Sequence, residues 1–204
     1  MTLLYLHMDH DIPVILSAMT STVRDAPALV VAAASHLDPE RAVQKSLEEL
    51  AQSASFAQTV KSSRPRFNPG KRWEHVVDPT SHASVYFDHA SAPMADFLFS
   101  STEQIAFSAI KNVATHNPTT DLHLLVERVH KIKHRVIVAD VTTDDVRDLG
   151  LVVLRTLIPG FHPLFMGHRS RALGGRRLWE VPRKLGLAKS RYGRIDNPFP
   201  HPFP

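Results

Sequence analysis

Ala28-Leu29-Val30-Val31-Ala32-Ala33, followed closely by Asp38-Pro39-Glu40, carries the transition that organises this chain. The apolar run is too short for a helix and reads as a buried strand. Asp38-Pro39-Glu40 reads as a helix start. It offers an acid at the cap, a proline at the first helical position, and a carboxylate in the first turn. The helix is expected to run to about Val60. Val43, Leu47, Leu50, Ala51 and Ala54 recur at spacings of three and four and predict its core stripe. Lys45, Glu49 and Gln52 fall at i, i+4 and i+7 and share a different face.

Upstream, Ile12-Pro13-Val14-Ile15-Leu16-Ser17-Ala18 predicts another short buried strand. Downstream, Ser62 to Ser81 has no apolar period and carries Arg64, Arg66, Lys71 and Arg72, which predicts a long loop. A second helix is expected over about Asp121 to His134, with Leu122, Leu125, Val126, Val129 and Ile132 inward. It feeds a strand at Arg135 to Asp140, and another at Leu151 to Ile158 closes on Pro159-Gly160. Strands and helices in this mixed order predict an α+β or α/β sandwich, of which α+β, with mixed sheets packed with helices, is the reading taken forward.

A chain of 204 residues with 43% hydrophobic and 22% charged residues has room for one sizeable core. The absence of cysteine excludes a disulfide framework and a thiolate metal site, and fits a cytoplasmic protein. His7, Asp9, His10 and Asp11 break the apolar opening before a signal peptide could form. No stretch approaches the ~20 apolar residues of a membrane span.

The net charge of +4 is unevenly placed: Arg155 to Arg194 holds ten basic residues against one acid, Glu180. Such a block suits a solvated basic face or a polyanion. Nucleic acid is the weaker fit, because stacking aromatics there are limited to Phe161, Phe165, Trp179 and Tyr192.

Thirteen histidines invite a zinc reading. His123, Glu127, His130 and His134 fall along one helical face, but without the Glu-flanked zinc motif, and a solvated stripe is the simpler account. No glycine-rich phosphate loop is present, and Gly174-Gly175 reads as a turn. The ending, Asn197-Pro198-Phe199-Pro200-His201-Pro202-Phe203-Pro204, cannot join a helix or central strand, because alternate prolines remove every second donor. It is expected to run as polyproline II, at roughly 3.1 Å per residue. It is either a free stiff tail, of the kind SH3-like domains bind, or an arm reaching a cleft.

Three separated segments together resemble the YcaO family, in its azoline-forming cyclodehydratase branch. Ser35 to Val43 with Leu47-Glu48-Glu49-Leu50-Ala51-Gln52 resembles the family's helix with a Glu-x-x-Gln pair. Arg155-Thr156-Leu157-Ile158-Pro159-Gly160-Phe161-His162-Pro163 is similar to its strand carrying arginine into a Pro-Gly turn. The alternating proline tail is similar to the family's C-terminal ending. Asp88-His89 with Asp96, Val138 to Thr142, and Arg177-Leu178 to Pro182 follow in the expected order.

The resemblance implies ATP-dependent conversion of Cys, Ser or Thr in a ribosomally made precursor peptide to azolines, as in thiazole/oxazole-modified microcins and other bacteriocins. It implies ATP and Mg²⁺ as cofactors, with Glu49 and Gln52 toward the metal and Glu49, Gln52 and Arg155 toward the nucleotide. Pro200, Pro202 and Pro204 are implied as catalytic, the terminal carboxylate orienting or deprotonating the attacking side chain. A leader-binding protein of the same pathway is the expected partner, with a homodimer left open.

The resemblance divides the chain into a partial domain over 1–196 and the tail over 197–204. It matches no earlier Ser-and-carboxylate segment before Ile12, and Ala54 stands where relatives place a basic residue. A truncated or split chain is therefore expected, needing a second polypeptide. The alternative is a catalytically inactive scaffold that binds a peptide or partner.

Overall fold

A computed structural model of the chain describes residues 1–64, 66–187 and 196–203. Three strands, β1 (Thr2–Tyr5), β2 (Val14–Thr20) and β3 (Leu29–Ser35), form an antiparallel sheet in that order. The helix α1 (Pro39–Ser63) covers one face of it. Asp38 caps α1 as expected, its carboxylate accepting the N–H of Glu40 at 2.9 Å.

The buried stripe of α1 is rotated from the predicted one. Ala42, Ser46, Leu50, Ser53 and Ala57 face the sheet, while Val43, Leu47 and Ala54 flank them half-buried and Ala51 is exposed. The reason is a close approach at a floor of small residues. Ser17 on β2 donates its hydroxyl to the Ser46 carbonyl, and the Ser46 hydroxyl donates to that of Ser17, both at 2.8 Å. Two buried serines that satisfy each other cost little to bury, so an apolar count alone misses them.

The opposite sheet face presents Leu16, Ala18, Leu29 and Val31 to Val76, Val85, Tyr86 and Ala95. Val85 and Tyr86 lie on α2 (Pro79–Phe87), inside and beyond the segment expected to be a loop. The helix starts on a capping box. Asp78 accepts the Ser81 N–H at 2.7 Å, and the Ser81 hydroxyl accepts the Asp78 N–H at 2.9 Å. The irregular stretch therefore ends at Asp78.

The next helix, α3 (Pro118–Lys131), starts and stops about a turn earlier than expected. Asn117 caps it through the N–H groups of Thr119 and Thr120. Lys133 takes a left-handed φ of 65°, so His134 lies beyond the helix and the histidine stripe loses its last member.

A second, separate antiparallel sheet pairs β4 (Ile137–Asp140) with β5 (Leu154–Leu157), joined through α4 (Asp144–Asp148). All eight strand residues are exposed. A turn at Leu173-Gly174 leads into α5 (Arg176–Lys184). The α+β expectation holds, with both sheets antiparallel. Among the described residues, no helix is long and apolar enough to cross a membrane.

Candidate functional site

The C-terminal tail is packed into the body of the protein. Arg171 anchors its root, donating to the Asp196 carboxylate and, at 3.1 Å, to the Asn197 carbonyl. His168 Nε2 meets the Pro198 carbonyl at 3.0 Å, and the Tyr86 hydroxyl donates to the Pro200 carbonyl at 2.5 Å. Proline has no N–H, so each of these backbone units needs a partner only for its carbonyl, and the body supplies a donor for both. Pro200 is fully buried, and Phe203 packs against the sheet core. Pro202 is half-buried beside a cleft of about 280 Å³ that also contacts Tyr86, Phe165, Leu178 and Phe203. A free stiff tail is thereby corrected to a docked one. Pro204, the expected catalytic terminus, lies outside the described residues.

Two histidines of the body, His82 and His168, meet a third, His201, on the docked tail. His82 on α2 is completely buried and stacks face to face on His201 of the tail, with ring centroids 3.8 Å apart and planes 8° from parallel. His168 lies edge-on to His82 at 6.0 Å, and Phe165 at 5.6 Å. Among the described residues, neither ring nitrogen of His82 has a well-formed hydrogen-bond partner. Burial, reinforced by His201 and His168, pushes its pKa down to about 4, against the opposing effect of the His201 backbone and Asp78. Burial likewise lowers His201 and His168 below the ordinary imidazole range. All three are thus neutral near pH 7. The rings stack rather than converge. Among the described residues, no group of three or more His, Cys, Asp or Glu is placed to hold a metal ion.

A second tie joins α5 to the start of the chain. Arg177 makes a bidentate pair with Asp9, at 2.6 and 3.0 Å, and both side chains are largely buried. Its guanidinium also lies over the Phe161 ring at 4.3 Å, with His10 stacked on that same ring. The Pro159-Gly160 turn after β5 is fixed nearby. Gly160 has a φ of 93°, and a Cβ there would lie 2.6 Å from the His134 ring, so only glycine fits without a shift. The basic block is therefore partly spent internally: Arg171, Arg176 and Arg177 pair with Asp196, Glu180 and Asp9. Lys189, Arg191 and Arg194 lie outside the described residues.

The expected nucleotide and metal residues stand on different elements. Glu49 and Gln52 stand on the solvent face of α1. Arg155 stands exposed on β5, opposite Ala139 in the second sheet. Among the described residues, none of these three side chains has a hydrogen-bond or ion-pair partner, so all three remain available to a ligand. A carboxylate and an amide one helical turn apart offer hard oxygen donors, a set that fits Mg²⁺ when phosphates and waters complete the shell.

Tyr86, His82 and His168 had no advance signal as site residues, because single tyrosines and histidines carry no pattern. Arg177 was legible as one member of a basic block and as the start of a segment in the resemblance, but not as the partner of Asp9.

The chain matches a protein-family model described as "YcaO cyclodehydratase, ATP- and Mg2+-binding" over residues 1–162. Its fold is similar to that of the heterocyclase TruD, with a TM-score of 0.70 and 21% identity, covering 99% of this chain and 25% of that one. It is also similar to a heterocyclase solved in complex with substrate and cofactor, with a TM-score of 0.69 and 20% identity, covering 94% of this chain and 23% of that one. The chain thus spans about a quarter of the length of these heterocyclases. No curated protein matches it.

Proposed function

The chain belongs to the YcaO family, and on that footing we propose that it serves ATP-dependent azoline formation in a ribosomally made precursor peptide. The observation that carries this reading is the docked tail. A proline-rich end with a fully buried Pro200, held by Tyr86 and His168, is fixed against the body over its described residues. Preordering removes the entropy that a free terminus would lose on reaching a reacting group.

In the proposed reaction, a Cys, Ser or Thr side chain of the peptide attacks the preceding amide carbonyl carbon, losing its proton to a base. The carbonyl π bond opens, leaving an oxyanion. That oxygen attacks the γ-phosphorus of ATP, and ADP departs. The amide nitrogen then loses its proton, C=N forms, and the C–O bond breaks to release inorganic phosphate. The Pro204 carboxylate is assigned the role of base or orienting group, with Pro200 and Pro202 setting its position. Arg155 is assigned to a phosphate, through the bidentate geometry guanidinium favours. Glu49 and Gln52 are assigned to hold Mg²⁺, which would neutralise charge on the phosphates. The remaining partners proposed are a leader-binding protein of the same pathway and a second polypeptide completing the site, in the cytoplasm, with a homodimer as a further arrangement.

Two measurements test these assignments. Titration with Mg-ATP is expected to show binding that Glu49→Ala and Arg155→Ala each weaken at least tenfold; binding unchanged in both variants overturns the assignment. Addition of a few residues after Pro204 is expected to abolish azoline formation, measured as an 18 Da loss per ring by mass spectrometry, while Mg-ATP binding persists. Normal turnover by the extended chain removes the terminus from the mechanism.

The scaffold reading stays open on a specific observation. The segment from β4 to β5 exposes Val141, Leu149, Leu151, Val152, Val153 and Leu154, each 47% or more accessible. Such an apolar run suits a partner surface. Absence of Mg-ATP binding alongside retained peptide binding would decide for it.

A further inference from the structure

We propose that His82 is the positioning residue of the C-terminal tail, clasping it through the His201 stack only while both rings are neutral, so that acidification undocks the tail from an otherwise folded protein. The inference does not depend on the proposed catalysis and concerns the docking equilibrium itself.

The clasp joins two elements far apart in sequence, α2 and the tail. His82 and His201 lie 3.8 Å apart in nearly parallel planes. The His201 Nε2 donates to the Phe165 carbonyl at 3.3 Å, and its buried Nδ1 has no well-formed partner among the described residues. A proton added to either ring creates a cation against the face of the other, and protonating both places two like charges within stacking distance. The surroundings compensate for that charge only in part. Among the described residues, the pair faces the His168 ring, the Phe165 ring and, from the helix cap, Asp78, a carboxylate that favours a charged His82. The His201 backbone also favours a charged His82, and the Phe165 and Phe203 backbones favour a charged His201, but burial outweighs them. Around His168 stand Arg171, which opposes its protonation, and Asp196, which favours it but is already paired with Arg171. The Tyr86 phenol has its pKa pushed up to about 12 by burial, so it stays a donor to Pro200 throughout the acid range.

The sign follows from proton counting. The docked state holds these imidazoles below their ordinary value of 6.5, and the released state restores it. Release therefore takes up protons. Docking is at full strength above about pH 6.5 and weakens as pH falls from there toward about 4, the value for His82. Each titrating imidazole shifts the docking constant by up to about tenfold per pH unit in that window.

Trp73 is a local reporter. It lies edge-on to Phe199 of the tail at 6.2 Å and to His168 at 5.9 Å. The chain has one other tryptophan, Trp179, which Trp179→Phe removes from the signal. In that background, Trp73 emission is recorded from pH 8 to pH 4 beside far-ultraviolet circular dichroism. A chain lacking residues 198–204 supplies the undocked reference spectrum.

The expected result is a reversible move of Trp73 emission to the undocked spectrum between pH 6.5 and 4, with the dichroism unchanged. His201→Phe keeps an aromatic ring in the stack and removes one proton site. It is expected to shift the transition at least half a pH unit lower, and it alters the tail alone, so the body still folds. His82→Phe is the matching change on α2. An emission change that coincides with loss of dichroism overturns the proposal. So does a transition at the same pH in both variants.

Discussion

Replacing Arg177 with alanine is expected to destabilise the protein by about 3–5 kcal/mol, because it breaks a largely buried ion pair. Asp9 is 4% exposed, and its two carboxylate oxygens are both taken by the Arg177 guanidinium. Removing one partner leaves an uncompensated buried charge, which is the costly case. Removing both is far cheaper, so Asp9→Asn combined with Arg177→Met should recover much of the loss. Arg177→Lys should fall between, since an ammonium cannot reproduce the fork or the contact over Phe161. Urea midpoints at pH 7 check this, and a cost below 1 kcal/mol for Arg177→Ala overturns it.

The same pair has a pH signature of the same sign as that of the histidine clasp and differs from it only in its position on the scale. Burial alone would raise the Asp9 pKa, but the Arg177 hydrogen bond and charge, with help from Lys184, hold it below the usual 3.8. A carboxyl held low in the folded state contributes stability that is complete above about pH 4 and is lost as pH falls through the lowered value. The clasp loosens first, between pH 6.5 and 4, and the Asp9 tie fails only in stronger acid.

The second large effect is expected at Tyr86, which is 1% exposed. Tyr86→Ala removes a buried aromatic from the sheet core, at a cost of about 3–5 kcal/mol. Tyr86→Phe isolates the hydroxyl: the Pro200 carbonyl loses its donor inside the core, at about 1–3 kcal/mol. A chain ending at Asn197 provides the control. Without the tail there is no carbonyl to satisfy, so Tyr86→Phe should be close to neutral there, and the cycle isolates the coupling. Equal costs with and without the tail would show that the hydroxyl does not hold it.

Local signals in the sequence located much of the framework. Asp38-Pro39 marks the start of α1 within one residue, because a capping oxygen and a proline without N–H are both chemically specific to a helix N-terminus. The same logic was available at Asp78-Pro79 and Asn117-Pro118, and reading those pairs would have found α2 and set the start of α3. The stripe on α1 was not legible in the same way. Ser46 and Ser53 look solvent-facing until Ser17 on β2 is seen to match Ser46. The resemblance points Arg155 toward the nucleotide, but that β5 leaves it open to solvent is visible only in the structure.

Covalent chemistry within a few residues determined what the sequence alone could show: where helices begin, that strands precede α1, and that the tail lacks half its donors. Tertiary structure alone decided the rest. Whether the proline tail floats or docks depends on Tyr86 and His168 meeting carbonyls more than 29 residues away in sequence, at 2.5 and 3.0 Å. No local pattern encodes such a meeting, because hydrogen bonding and stacking between distant residues depend on position in space, which only packing sets.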